Sequence, residues 1–389
     1  DIISAATWAI AYMLPGILLG AASLQLPSDI ATHYMRVVLA TLVIAAVAIW
    51  IIRLSLLHIT EVVQHALTCL WQAINHSKSW RFLRQWLRHY RPDHPRGQLG
   101  FLLIWLLLVI VFIAMCYSVT HKSALSQINY AVYHFLRSIR NLQADKIMTV
   151  ISAFGYKYVL LATGGIATLW LAYQRCWRSA VHFACVIVFG AAIILLIRHS
   201  IAVPRPHGLL ISKESFSFPS GHTTYATIIY GGLAYFSASS LARIARWPFY
   251  AVACLIVIAI GFSRVYVGDH WLSDALGGIL LGSICLLTMG ISYQRKPKEY
   301  INPISLPIIS LITLLVVGSY YTMSSYKQNL KNHQPTWPDT TIALQAWWKQ
   351  TNPDPEKLLY ATNRFGSPEN IFNIQWAGEI LKINNKLEN

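Results

Sequence analysis

Long apolar runs separated by shorter polar ones fill most of the chain. Runs at 4–24, 36–58, 98–119, 156–173, 179–200, 223–240, 249–266, 271–293 and 304–322 each approach the roughly 20 residues a helix needs to cross a bilayer. The pattern predicts membrane-spanning helices there, the first interrupted by Pro15-Gly16. Residues 61–97 are polar, yet Leu70, Trp71, Ile74, Trp80, Leu83, Trp86 and Leu87 recur at helical spacing among Lys78, Arg81, Arg84, Arg88, Arg91 and Arg96. A basic amphipathic helix in the headgroup layer is expected, the plainer alternative being a solvated loop. Residues 120–155 are mixed and predict short helices outside the membrane. The tail, 323–389, has no apolar run and is broken by Pro335, Pro338, Pro353, Pro355 and Pro368, so a small soluble region is expected. Its Trp337, Trp347, Trp348 and Trp376 are read as core residues, and it carries no catalytic constellation.

Composition agrees. Of 389 residues, 55% are hydrophobic and 12% charged, half the roughly 25% charge of a soluble domain. An integral membrane protein, all-helical and polytopic, follows. The net charge of +16 sits chiefly in short loops. With 61–97 on one side, Arg175, Arg178, Arg243, Arg246, Arg295, Lys296 and Lys298 share that side, while Lys122, Arg137, Arg140 and Lys146 lie opposite. The richer side belongs in the cytoplasm. Nucleic-acid binding is excluded, because no basic stretch sits in a recognisable soluble domain. Cys69, Cys116, Cys176, Cys185, Cys254 and Cys285 lie in or beside apolar runs without any Cys-x-x-Cys pair, so neither a disulfide framework nor a zinc site is expected. The chain opens at Asp1 with no visible signal peptide, and is expected to begin inside a longer protein.

The polar interruptions at 198–274 carry the chemistry, since charge at the end of a spanning run is costly and usually functional. Arg198 and Arg205, the latter stiffened by Pro204 and Pro206, end one helix and its loop; Arg264 ends another. Snorkelling to headgroups explains any one of them, but three converging guanidiniums make a site for an oxygen-rich dianion. In Pro219-Ser220-Gly221-His222, Ser220 is placed to cap a helix, Gly221 leaves amides open to a ligand, and His222 falls in the first turn. His270 and Asp274 are four apart, on one helix face. A carboxylate that accepts one imidazole N–H fixes the tautomer and leaves the other nitrogen as a nucleophile. A metal ligand with its supporting carboxylate is the alternative, but Asp269 and Glu214 are the only other carboxylates nearby, so no metal or cofactor is expected. All three clusters fall on the non-cytoplasmic side. Together they describe metal-free phosphoryl transfer: arginines and helix amides balance charge, one histidine attacks phosphorus and another protonates the leaving oxygen.

These residues resemble the type-2 phosphatidic acid phosphatases, which share a site with vanadium haloperoxidases and glucose-6-phosphatase. The pattern matches at Arg198 with Arg205-Pro206, at Pro219 to His222, and at Ser263-Arg264 with His270 and Asp274. One departure is Arg198, where the family usually has Lys. The resemblance implies His270 as nucleophile polarised by Asp274, and His222 as general acid. It implies Arg198, Arg205, Ser220, Gly221 and Arg264 as phosphate ligands, within a six-helix core over about 98–293. The expected organisation is then an extra hairpin at 1–60, an interfacial segment at 61–97, the core, a further spanning helix at 294–322, and a non-cytoplasmic tail at 323–389. Leu14 to Gly20 resembles the end of a DedA-type domain, and Phe372 to Gly378 resembles the C-terminal region of LssY-type proteins. The implied substrate is a lipid phosphate reached sideways from the membrane, with Phe216 and Phe218 lining the way or anchoring the loop at the interface. The implied location is a bacterial inner membrane with the site facing out; protein partners are not indicated. A DedA-type lipid transporter, and a phosphatase of soluble esters, are the competing readings.

Overall fold

The computed structural model describes residues 65–74, 76, 80–81, 98–121, 123–206, 216–333 and 360–371. The chain divides into two compact units, 1–81 and 82–389. In the first, residues 65–74 are helical, with Trp71 and Ile74 buried but Leu70 exposed, so the expected apolar face is only partly covered. The expected spans at 4–24 and 36–58 lie outside the described residues, as do the DedA-like and LssY-like stretches and the four tail tryptophans.

In the second unit, α1 (Leu99–Thr120) is apolar on every side, with only Leu99 and Phe112 buried, as suits a helix whose other neighbour is lipid. Two shorter helices follow, α2 (Ala124–Ser138) and α3 (Leu142–Phe154). The Asn141 side chain accepts from the Ala144 amide at 2.9 Å and starts α3. Then come α4 (Lys157–Tyr173), α5 (Trp177–Ile201), α6 (Gly221–Ala238), α7 (Trp247–Tyr266), α8 (Leu272–Tyr293) and α9 (Ser305–Asn332). Among the described residues, six stretches are long and apolar enough to cross a membrane; α3 and α4 count together as one of them, and α6 is not included.

The exclusion of α6 has a physical cause. It packs against α4, α5, α7 and α8, and 14 of its 18 residues are buried. Its solvent is protein, so it need not be lipophilic. Its threonines are satisfied along the helix, Thr224 and Thr227 donating to the carbonyls of Ser220 and Thr223 at 2.8 Å each. The backbone of α8 meets the first turn of α6 at Gly278, where a Cβ would stand 2.9 Å from the Ser220 carbonyl oxygen. Only glycine permits that approach.

The end of α9 differs from expectation. It continues past 322 to Asn332, because the run loses its apolarity before it loses its helix formers, and Pro335 is the first breaker. In the tail, β1 (Tyr360–Thr362) pairs antiparallel with β2 (Pro368–Ile371), and Phe365 in the intervening turn stacks on Phe135 of α2 at 5.7 Å. At the opposite end of the bundle, Glu299 accepts from the Arg178 and Ser179 amides at 3.1 and 2.8 Å and from the Ser179 hydroxyl at 2.6 Å. Burial pushes this carboxyl up, but those bonds pull it below its ordinary value overall. They tie the α8–α9 loop to the start of α5.

Candidate active site

The alternation of helix directions brings the C-terminal ends of α5 and α7 together with the N-terminal ends of α6 and α8. His270 lies in the five-residue turn between α7 and α8 and is 1% exposed. Its Nδ1 is 3.2 Å from Asp274 Oδ2. The same Oδ2 accepts from the Trp271 amide at 2.8 Å. Asp274 therefore caps α8 from its first turn and orients the imidazole with one oxygen. Asp274 accepting at Nδ1–H leaves Nε2 with a lone pair, and Nε2 faces Arg205 Nη1 at 3.3 Å. Burial, then the charges of Arg205, Arg264, His222 and Arg198, push the imidazole well below its ordinary 6.5. Outside this turn, Asn129 of α2 clasps Ser273, donating to its hydroxyl at 2.8 Å and accepting from its amide at 3.0 Å. Through that contact α2 holds the start of α8.

Ser220 occupies the N-cap position of α6, as its residue type suggests, but its side chain does not cap the helix backbone. Its Oγ accepts from Thr223 Oγ1 at 3.1 Å instead, while its amide donates to the Asp274 carbonyl at 3.0 Å. The cap expectation is corrected there: the serine is tied to its own helix by a hydroxyl pair, and the amides of the first turn are not taken by it. His222 follows in that turn, beside Tyr156 with ring centroids 6.1 Å apart. Arg198 reaches across from α5 and donates from Nε and Nη2 to the Pro219 carbonyl at 3.1 and 3.0 Å. Its Nη2 lies 3.1 Å from where a Cβ on Gly221 would be, so the guanidinium rests against bare backbone. Arg198 thus braces the loop as well as bringing charge to it.

Arg205 and Arg264 are joined by a carboxylate that spacing alone did not single out. Asp269 Oδ1 is 3.3 Å from Arg205 Nη1, and its Oδ2 pairs with Arg264 Nη2. Arg205 Nη1 also donates to the Asp269 carbonyl at 2.7 Å, and Arg264 Nη1 donates to Ser152 Oγ of α3. Asp269 is 2% exposed and Arg264 3%. A buried guanidinium needs such a counter-charge. A carboxylate directly before a candidate nucleophile, five residues after an arginine, was the available signal.

The structure thus brings Arg198, Arg205, Ser220, Gly221, His222, Arg264, His270 and Asp274 to one end of the bundle. Phe218 does not line a path to the site. It is fully buried, stacks on Phe112 at 5.9 Å and fills the space above Gly277. Phe216 is 38% exposed, edge-on to His199 at 6.4 Å. Among the described residues, no group of three or more His, Cys, Asp or Glu is placed to hold a metal ion.

Comparison with known proteins identifies the core. Residues 158–298, which contain every residue of the site, match the PAP2 superfamily. The chain is 29% identical over 198 residues to phosphatidylglycerophosphatase B of Bacillus subtilis, covering 49% of this chain and 96% of that protein. It is 30% identical over 170 residues to the undecaprenyl-diphosphatase BcrC of the same organism, covering 40% of this chain and 79% of that one. The crystal structure of the Bacillus subtilis transmembrane PAP2-type phosphatidylglycerolphosphate phosphatase covers 51% of this chain and 98% of its own, with 26% identity and a TM-score of 0.46. These relatives are named as phosphatases of lipid phosphates, and the chain belongs to the PAP2 superfamily.

Proposed function

We propose that the protein hydrolyses a lipid phosphate monoester or diphosphate through a phosphohistidine at His270, without a metal. The observation that carries this reading is the clamped imidazole: Asp274 at Nδ1, Arg205 at Nε2. Nε2 attacks phosphorus, the bond from phosphorus to the leaving oxygen breaks, and His222 gives that oxygen its proton. Water then attacks the phosphohistidine, His222 takes the water's proton, the P–N bond breaks, and inorganic phosphate leaves. Arg198, Arg205, Arg264 and the amides of Gly221 and His222 balance charge on the equatorial oxygens. The position of the site at the ends of apolar helices favours a lipid over a soluble ester. Arg175, Arg178, Arg243, Arg246, Arg295, Lys296 and Lys298 lie at the opposite end of the bundle, which supports a site on the non-cytoplasmic face.

The test is phosphate release by the full chain in detergent from a panel of lipid phosphates, with and without EDTA, across pH. Release is expected to be EDTA-insensitive. Since the folded site disfavours the charged imidazole, His270 stays neutral as pH falls through 6.5, and the acid limb of kcat/KM is expected below that value. A limb at or above it, once substrate ionisation is corrected, or no release from any lipid phosphate, overturns the reading.

Arg198 supplies a second check. Arg198→Lys keeps the charge but makes one bond to the Pro219 carbonyl where the fork makes two. The expected fall in kcat/KM is about tenfold, against about a hundredfold or more for Arg198→Ala.

A further inference from the structure

Against two residues of the site, His222 and Arg264, lies a small cavity that none of the steps above fills. A cavity of about 50 Å³ is lined by Tyr156, His222 and Arg264 together with Tyr321, Asn329 and His333 of the α9 end. The PAP2 match ends at residue 298, and α9 begins at Ser305, so this wall is added to the family core.

The wall is built rather than incidental. Tyr321 stacks on Tyr156 at 4.1 Å and 12°. Asn329 Nδ2 donates to Tyr321 Oη at 3.4 Å, and His333 Nδ1 is 2.7 Å from the Asn329 carbonyl. Arg140, bidentate on Asp145, donates to the His333 carbonyl at 2.7 Å and to the Val267 carbonyl at 3.2 Å. One guanidinium therefore fastens the end of α9 to the turn that carries His270. The lining contains no carboxylate. No described residue accepts from the buried Nε of Arg264. The volume holds about two waters, a space close to that of one tetrahedral oxyanion. Because His222 serves the leaving oxygen, what occupies this space is the part of the substrate just beyond the bond that breaks.

We propose that the end of α9, through Tyr321, Asn329 and His333, forms a subsite for a second phosphate next to the one cleaved. This rests on the phosphatase reading and narrows it to lipid diphosphates. His270 attacks the terminal phosphorus, the bond to the bridging oxygen breaks, and the lipid monophosphate leaves with the proton from His222.

The experiment compares a polyprenyl diphosphate with the monophosphate of the same chain, using the full protein and the variants Asn329→Ala and Tyr321→Phe. Either variant is expected to lose about tenfold more kcat/KM on the diphosphate than on the monophosphate. Methylene bisphosphonate is expected to inhibit the unaltered protein at least about tenfold more strongly than inorganic phosphate. Equal losses on both substrates, with equal inhibition by the two anions, overturn the subsite and leave α9 a structural prop. Cleavage of the monophosphate but not the diphosphate overturns it too, with the phosphatase reading intact; cleavage of neither overturns both.

Discussion

His270→Ala is expected to lower lipid phosphate hydrolysis by roughly a thousandfold or more, leaving only what binding and charge stabilisation supply. The imidazole is 1% exposed and touches both Asp274 and Arg205, so its loss removes the nucleophile and takes one contact from each of two charged neighbours. Folding is therefore checked separately, by the elution profile in detergent. His270→Gln keeps more of the volume and should be as inactive as His270→Ala if the nitrogen is a nucleophile. Incubation with radiolabelled substrate followed by alkaline quench should trap an acid-labile phosphoprotein in the parent and none in either variant. Substantial turnover by His270→Gln, or label retained in it, would remove His270 from the chemistry.

The site was legible because its parts recur at fixed spacing at the ends of apolar runs. The four-residue step from His270 to Asp274 suggested one helix face; His270 lies instead in the turn just before α8, and the way Asp274 caps that helix still sets Nδ1 against the carboxylate. What spacing could not supply was the work of groups that act through the backbone. Nothing in the string Pro219-Ser220-Gly221-His222 says that Ser220 will turn from its own helix amides to Thr223. Nor does a run of positive charge reveal that Arg198 spends two nitrogens on a carbonyl 21 residues on. Asp269 had a local signal in its place after Arg264 and before His270, but its second partner, Arg205, lies 64 residues away and is read only from the fold.

The helices show the same division. Among the described residues, hydropathy located the long apolar helices and, apart from the end of α9, placed their ends within a few residues. It counted α6 among the spanning runs, at 223–240, although that helix is surrounded by other helices and too polar to qualify as a span, and it ended α9 where apolarity ended, ten residues before the helix does at Asn332. Both departures bear on chemistry. A polar central helix can carry His222 in its first turn, and an overlong last helix can bring Tyr321, Asn329 and His333 to the cavity wall.

His222→Ala separates the two chemical steps. With a lipid substrate the leaving alkoxide or phosphate needs a proton, and the expected loss is about 10²–10⁴-fold. With nitrophenyl phosphate the phenolate leaves unaided, so the first step should recover while the second, in which His222 takes a proton from water, should not. The expected time course is a burst of about one nitrophenolate per protein followed by slow turnover, a fingerprint of covalent catalysis. During the slow phase the phosphohistidine at His270 should accumulate and be trapped in alkali. The double variant His222→Ala, His270→Gln should show no burst. If His222→Ala loses equally on both substrates without a burst, His222 acts on binding alone, and the proton must come from elsewhere on the His222 side, where the Tyr156 ring stands 6.1 Å away.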